Sequence, residues 1–456
     1  MDKLKHPLKE VKNQYIVACL FLTICIFVLG GTGKMAIFCA LGIMLCVVGF
    51  MQGAVAVDLW VLLPLMIYNL FSLISAYLAH GNIAEGFTSI QAAFSVIYLL
   101  MAYLDKDGIC LLRKLCIILT AFVALAGIGE FVCDAALLHS SARLGGVIGN
   151  PNGMGIFLVL GWFSYMNDIS EEKASGMRWW NCIEPLLLIA LALTLSMGSF
   201  AAMAVGIVVI IIADIRKFGV KKAVGRSGCL LARMSIGLGL GILLYLAVSR
   251  VGKTWLYVCL LLYFAAVIVK WEKMGRFLAE YRAIAVGLSV LSLLFAAMLI
   301  VIRPSFTATF AERLEMMKNG VRYFKMNPIF GIGPSNWRQL NLYDSDIYFN
   351  VNHIHNALIH VGTELGLVAM AMMVIVAVRC LIKDKRLYGR AGWGAFLFHN
   401  MVDAAFFNIK ITSMAIMSGG DPSQGGRRLN SVTTKIIFGV FAMIFAYNFY
   451  WYVQMT

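Results

Sequence analysis

Long apolar runs alternate with short polar breaks along almost the whole chain. The runs fall near residues 15–30, 35–50, 59–79, 88–104, 115–132, 152–166, 182–197, 199–213, 231–248, 254–269, 283–302, 356–378, 392–412 and 435–452. Many approach the roughly 17–25 residues needed to cross a bilayer as a helix. In hydrocarbon every backbone N–H and C=O must be bonded within the protein, and these runs are too long and too evenly apolar for barrel strands. The pattern predicts an all-α polytopic integral membrane protein with about 12–14 transmembrane helices. Residues 1–302 read as successive helices with short loops, 303–355 as one long external loop, and 356–456 as the C-terminal helices.

Composition agrees with the pattern. The chain is 61% hydrophobic and 13% charged, with a mean hydropathy of +0.84, against about 25% charged residues in a soluble domain. Lys3, Lys5, Lys9 and Lys12 precede the first run as they would in a signal peptide. No small-residue cleavage site follows, and Lys34 leads straight into a second run, so the first run is read as a retained helix. With the N-terminus inside, roughly two thirds of the Lys and Arg fall on cytoplasmic segments, as the positive-inside rule requires. The densest such segment is Arg216–Arg233. The net charge of +15 is thereby assigned to loops facing anionic lipid, not to nucleic acid. Gly392–Gly419 reads in two ways: as one long helix, or as a helix that turns at Phe407–Lys410 and returns, which would put Gly419–Thr434 inside.

The exception to the charge rule is the outward stretch from Arg303 to Arg338, which carries Arg313, Lys318, Arg322 and Lys325 between its ends. Arg313, Met317 and Gly320 follow helical spacing, so an amphipathic helix at the outer surface is expected. Lys and Arg could simply solvate such a helix, but a guanidinium is also the preferred fork for a pyrophosphate. The stretch continues through Asn327-Pro328-Ile329-Phe330-Gly331-Ile332-Gly333-Pro334 to His353-Ile354-His355-Asn356. If a helix starts at Asn356, His360 and Glu364 share one face, and an ionisable group placed there is costly enough to suggest a role. A histidine at a membrane face suits general-base activation of a hydroxyl, whereas a capped, hydrogen-bonded interfacial histidine is the plainer reading for His353 or His360.

Earlier in the chain, Arg143 precedes Gly149-Asn150-Pro151-Asn152-Gly153. These residues suit a turn with an Asn N-cap; joined to Arg143, the helix N-terminus would also attract a phosphate. A metal reading needs His353, His355, His360 and Glu364, or Asp344 and Asp346, but neither a His-Glu-x-x-His nor a cysteine-pair spacing is present. The 11 cysteines lie mostly in apolar runs, as small hydrophobes would. No cofactor is expected.

Together these residues resemble the O-antigen ligase and polysaccharide polymerase family. The resemblance rests on Glu312-Arg313, Asn327–Pro334, His355-Asn356 with Leu358, Glu364-Leu365-Gly366, and the earlier Arg143 with Gly149–Asn152, and it extends to His399-Asn400 and Asp403. It implies an inverting, metal-independent glycosyltransferase acting on the outer face of the bacterial inner membrane. The implied donor is a glycan on undecaprenyl pyrophosphate, and the acceptor is another glycan, a lipid core or a protein. His355 matches the base proposed to deprotonate the acceptor, and Arg313 the cation that neutralises the leaving pyrophosphate. Arg143, Asn150, Asn152, Arg322, His353, Asn356 and Glu364 are the implied substrate-binding residues. Many members carry an arginine where Thr194–Ser199 has Met197, which leaves Arg143 or Arg322 to supply a second cation. A transporter or flippase of lipid-linked glycans is the competing class. Its support is His399 and Asp403, while the polar cluster lies at one surface and the chain halves are unlike. Gly30-Gly31-Thr32-Gly33-Lys34 lacks the spacing of a nucleotide-binding loop.

Overall fold

A computed structural model describes the chain apart from residues 1–4, 31–34, 85, 139–141, 172–177, 252, 291–304, 345–348, 350 and 456. The chain is an all-α, multi-pass membrane protein. Among the described residues six helices are long and apolar enough to span a membrane, or seven if one bent pair counts as a span. Other expected runs form shorter apolar helices, including Met35–Phe50 and Ile409–Ser418. Most of the run at 283–302, together with Arg303 and Asp346, lies outside the described residues. So does most of Gly30–Lys34.

The chain divides into two compact units. The first comprises Met1–Cys116, Ala311–Lys385 and Asn400–Thr456; the second comprises Ile117–Phe310 and Arg386–His399.

In the first unit, α2 (Met35–Phe50) packs on the C-terminal helix (Ser431–Met455). Gly42 and Gly49, seven residues apart, lie against the rings of Phe445 and Phe438, also seven apart, where a Cβ would collide. Two turns of helix separate each pair, so the matched spacing lets the backbones approach along one stripe. α3 (Leu59–His80) packs on a long helix over Ala357–Lys383. Asp58 caps α3, accepting from Trp60 N at 3.1 Å, and takes Arg379 Nε at 2.8 Å and Lys383 Nζ at 3.2 Å. At the other end of α3, His80 Nε2 lies 2.8 Å from the Pro334 carbonyl. The two helices are thus fastened through Asp58 at one end, and nearer the other Ser75 Oγ donates to the Glu364 carbonyl at 2.7 Å. Beside Asp58, Val55–Val57 pairs antiparallel with Arg427–Leu429.

The run expected at 392–412 turns, the second of the two readings. One helix covers Leu387–Val402 and another Ile409–Ser418. Between them Phe406 N donates to Asn400 Oδ1 at 2.6 Å, Thr412 Oγ1 donates to the Phe406 carbonyl at 2.7 Å, and Asn408 caps the second helix. These bonds satisfy part of the turn's backbone from within the turn and its flanking helices.

In the second unit α6 (Pro151–Glu171), α7 (Ile183–Thr194), α8 (Met197–Phe218) and α9 (Val220–Leu246) pack together. Every residue of α7 is buried except Leu186. Gly237 and Gly241 of α9, one turn apart, admit Leu188 and the Ile189 carbonyl of α7. α10 (Thr254–Val269) is followed by a short α11 (Trp271–Glu280) bent 60° away from it.

Candidate functional site

The polar stretch expected as an external loop is largely helical. α12 (Ser305–Met326) and α13 (Asn336–Asp344) precede the histidine segment, and α14 (Ala357–Lys383) follows it. The expected amphipathic face of α12 exists: Met317 and Gly320 turn inward, and at Gly320 the side chains of Ile354 and Ile359 approach too closely for a Cβ. Thr363 Oγ1 donates to the Gly320 carbonyl at 2.9 Å, which pins α12 to α14. Beneath them Met316, Tyr323, Trp337, Phe349 and Ile354 form a buried apolar cluster.

α14 is broken at Gly366, whose φ of 86° and ψ of −179° lie outside the helical range. The Asn327–Pro334 segment occupies the break. Ile332 N donates to the Thr363 carbonyl at 2.9 Å, Gly333 N to the Glu364 carbonyl at 3.0 Å, and Leu367 N to the Pro328 carbonyl at 2.8 Å. Helical carbonyls freed by the kink are satisfied from a second segment, as a broken helix in a membrane requires. The glycines follow from this geometry. Gly331 and Gly366 adopt left-handed φ, and a Cβ on either would run into the other segment's backbone.

This frame presents His355, Arg313 and Asp403 to one another. His355 Nδ1 lies 3.0 Å from Asp403 Oδ1, and Arg313 Nη2 lies 3.6 Å from Asp403 Oδ2. Arg313 Nη1 also donates to the Val402 carbonyl, and Ala404 N donates to Asp403 Oδ1 at 2.7 Å. A carboxylate only accepts, so the proton of a neutral His355 sits on Nδ1 and the lone pair on Nε2. Asn356 caps α14 through Ile359 N at 3.0 Å, and its amide donates to the Met401 carbonyl at 3.1 Å. That bond ties the histidine segment to the end of the helix that Asp403 follows.

A second chain of polar groups lies deeper. His353 Nδ1 is 3.1 Å from His360 Nε2, which is 3.4 Å from Glu364 Oε2; Glu364 Oε1 accepts from Trp337 N at 3.2 Å. The rings of His353 and His360 pack on Phe407, stacked and edge-on respectively. Burial, reinforced by the neighbouring His355 and opposed by Asp403, pushes His353 down to about 4. Glu364 and His360 are buried, so their partners are protein groups.

Arg322 is exposed on α12, its guanidinium 5.0 Å above the ring of Tyr323. Nine residues from Arg313 at about 100° each, it points to the opposite face of the helix. Lys318 pairs with Glu315 at 2.5 Å in solvent.

In the second unit, Arg143 Nε donates to the Thr194 carbonyl at 2.8 Å and Nη2 to Asn152 Oδ1 at 2.9 Å. Ser196 Oγ donates to the same Asn152 oxygen at 3.1 Å, and Ser199 Oγ to the Asn152 carbonyl at 3.2 Å. Asn150 Oδ1 accepts from Asn152 N and Gly153 N, the expected N-cap of α6. The turn that carries Met197 is therefore held by Arg143. Leu195 sits in this turn with a φ of 47°.

Asp403 is the residue that the sequence reading undervalued. It stands in the turn after an apolar helix, 48 positions from His355; the family resemblance extends to it, but neither spacing nor periodicity pairs it with His355 and Arg313. Ser196 and Ser199 carried no signal beyond their place next to Met197.

Residues 234–374 match the family model for O-antigen ligase. The match contains Arg313, Asn327–Pro334 and the histidine segment, and it ends before Asp403. No curated protein matches the chain. The match supports the O-antigen ligase family and, in general terms, glycan ligation or polymerisation by a membrane enzyme.

Proposed function

We propose that this membrane protein of the O-antigen ligase type transfers or polymerises a glycan carried on a polyprenyl pyrophosphate, at the outer face of the membrane. The reading rests above all on Asp403, whose two oxygens face His355 and Arg313. In the proposed step His355 Nε2 takes the proton of an acceptor hydroxyl. The acceptor oxygen forms a bond to the anomeric carbon as the bond from that carbon to the pyrophosphate oxygen breaks, and displacement from the opposite face inverts the configuration. The leaving group gains negative charge in the transition state. A preorganised guanidinium, here Arg313, is worth most at that moment. Asp403 holds the imidazole in the required tautomer, stabilises the imidazolium that forms and aims the guanidinium, without taking the proton. No step calls on a metal or other cofactor.

Orientation follows the same reasoning. The site lies at the end of α3 that carries His80, and the pair Val55–Val57 with Arg427–Leu429 lies at the end that carries Asp58. With the basic segments cytoplasmic, His355 faces outward and Gly419–Asn430 inward. Arg143, Asn150 and Asn152 form a separate polar set suited to an anionic or hydroxylated part of a substrate; the turn they hold lacks a cation at Met197, and Arg143 supplies one.

The test is to incubate the purified protein with an undecaprenyl-pyrophosphate oligosaccharide as the only substrate and resolve the products by size. A ladder of longer lipid-linked glycans makes the enzyme a polymerase. Transfer only after a lipid-core or protein acceptor is added makes it a ligase. No transfer to any acceptor from folded protein would overturn the reading.

A further inference from the structure

The second unit carries a basic and aromatic surface that the transfer reaction does not use. α11 buries Trp271 and Leu278; Leu278 packs with Ala232 and Ala285, with Met274 beside them. Its outer face exposes Lys273, Arg276 and Phe277, and Lys270, Tyr281 and Arg282 extend it at either end. Phe277 and Tyr281 are each 48% exposed, with ring centroids 4.7 Å apart. The helix leaves α10, which is apolar and exposes Trp255, Val258, Leu262 and Tyr263, at 60°.

The surrounding ion pairs mark its level within the unit. Trp271 Nε1 donates to the buried Glu184 at 2.8 Å, and Glu184 also takes Arg233. Arg226 meets Asp214 at 3.1 Å, and Arg282 packs on Gly225 of α9. Charged pairs from α7, α8 and α9 thus gather where α11 begins and ends, as they would where apolar spans give way to headgroups. Lys221 and Lys222 project into solvent from the neighbouring start of α9.

We propose that α11 lies in the headgroup layer and, with the start of α9, docks anionic phospholipid. A solvated helix face would balance its charge and hide its rings. Here Glu272, paired with Arg276 at 3.6 Å, and Glu280 leave a basic excess, and two half-exposed aromatic rings stand among the cations. Rings at the acyl boundary and cations on phosphates are what an interfacial helix requires.

The full-length protein would be purified in micelles doped with equal phosphatidylglycerol and phosphatidylcholine, and the retained lipid quantified by mass spectrometry. The wild type should retain phosphatidylglycerol preferentially. Lys270→Glu/Lys273→Glu/Arg276→Glu should lower that preference about tenfold, and the Gln triple variant should lower it less. A charge-reversing control on α12, Lys318→Glu/Lys325→Glu, should keep the preference. Unchanged lipid selectivity in both folded α11 variants would overturn the proposal, as would an equal loss from the α12 variant. Binding of polyglutamate without preference for phosphatidylglycerol would also overturn it, by reassigning the surface to an acidic protein segment.

Discussion

The side chains of His355 and Asp403 are 20% and 13% exposed, whereas those of His360 and Glu364 are 0% and 1% exposed. Both are histidine–carboxylate pairs in the same unit. The first has an imidazole nitrogen left for an outside proton and a guanidinium on the carboxylate's far oxygen. The second has its carboxylate committed to Trp337 N and its imidazole to His353. Pairing a histidine with a carboxylate therefore does not by itself make a reactive centre. In the proposed mechanism access and the remaining partner decide, and the buried pair serves as the frame beneath the exposed one.

The sharpest way to break this contrast is His355→Ala. Removing a general base costs about 10²–10⁴-fold in rate, so turnover of lipid-linked glycan should fall by that order while the thermal midpoint and membrane insertion stay unchanged. Turnover close to wild type would assign the proton transfer to another group. Asp403→Asn comes next, with an expected loss of about 10²-fold in kcat and little change in KM, because the amide leaves the imidazole tautomer and the guanidinium unaimed. An increase in KM alone would make Asp403 a binding residue instead of a positioning one.

Much of this arrangement could be read from the sequence, for reasons that differ by residue. The apolar runs announce helices because hydrocarbon allows little else, and His360 and Glu364 announce a shared face by their spacing. The break at Gly366 was hidden, because Gly366 looks like an ordinary glycine until Asn327–Pro334 is seen bonded across the gap. Asp403 was visible as a polar residue in a late run, but its pairing was hidden for a related reason: Arg313 and His355 are distant in sequence, and no local periodicity encodes that meeting. Arg322 was misleading, since charge type suggested a phosphate ligand while helical phase turns it to the far side of α12.

Turning to the buried pair, Glu364→Leu should destabilise the fold by about 2 kcal/mol, because Trp337 N and the His360 ring lose their acceptor inside the protein. The measurement is the thermal midpoint in detergent. The variant's residual activity, corrected for folded fraction, should exceed that of His355→Ala. A stable but fully inactive Glu364→Leu would place the carboxylate in the chemistry and erase the contrast.

The smallest effect should be a slope with pH. Burial holds His353 near 4 in the folded protein, below the roughly 6.5 of a solvated imidazole. Between those values the unfolded chain binds more protons than the folded one, so stability rises with pH across that window and falls on acidification. His353 alone should cost about 1 kcal/mol between about pH 7 and pH 5.5. His353→Phe keeps a ring against Phe407 but cannot titrate, so the fall in thermal midpoint over that interval should flatten by the corresponding amount, even though the lost bond to His360 lowers stability at every pH. An unaltered slope would mean that His353 is already solvated enough to titrate normally, and that the frame beneath His355 is wetter than its packing implies.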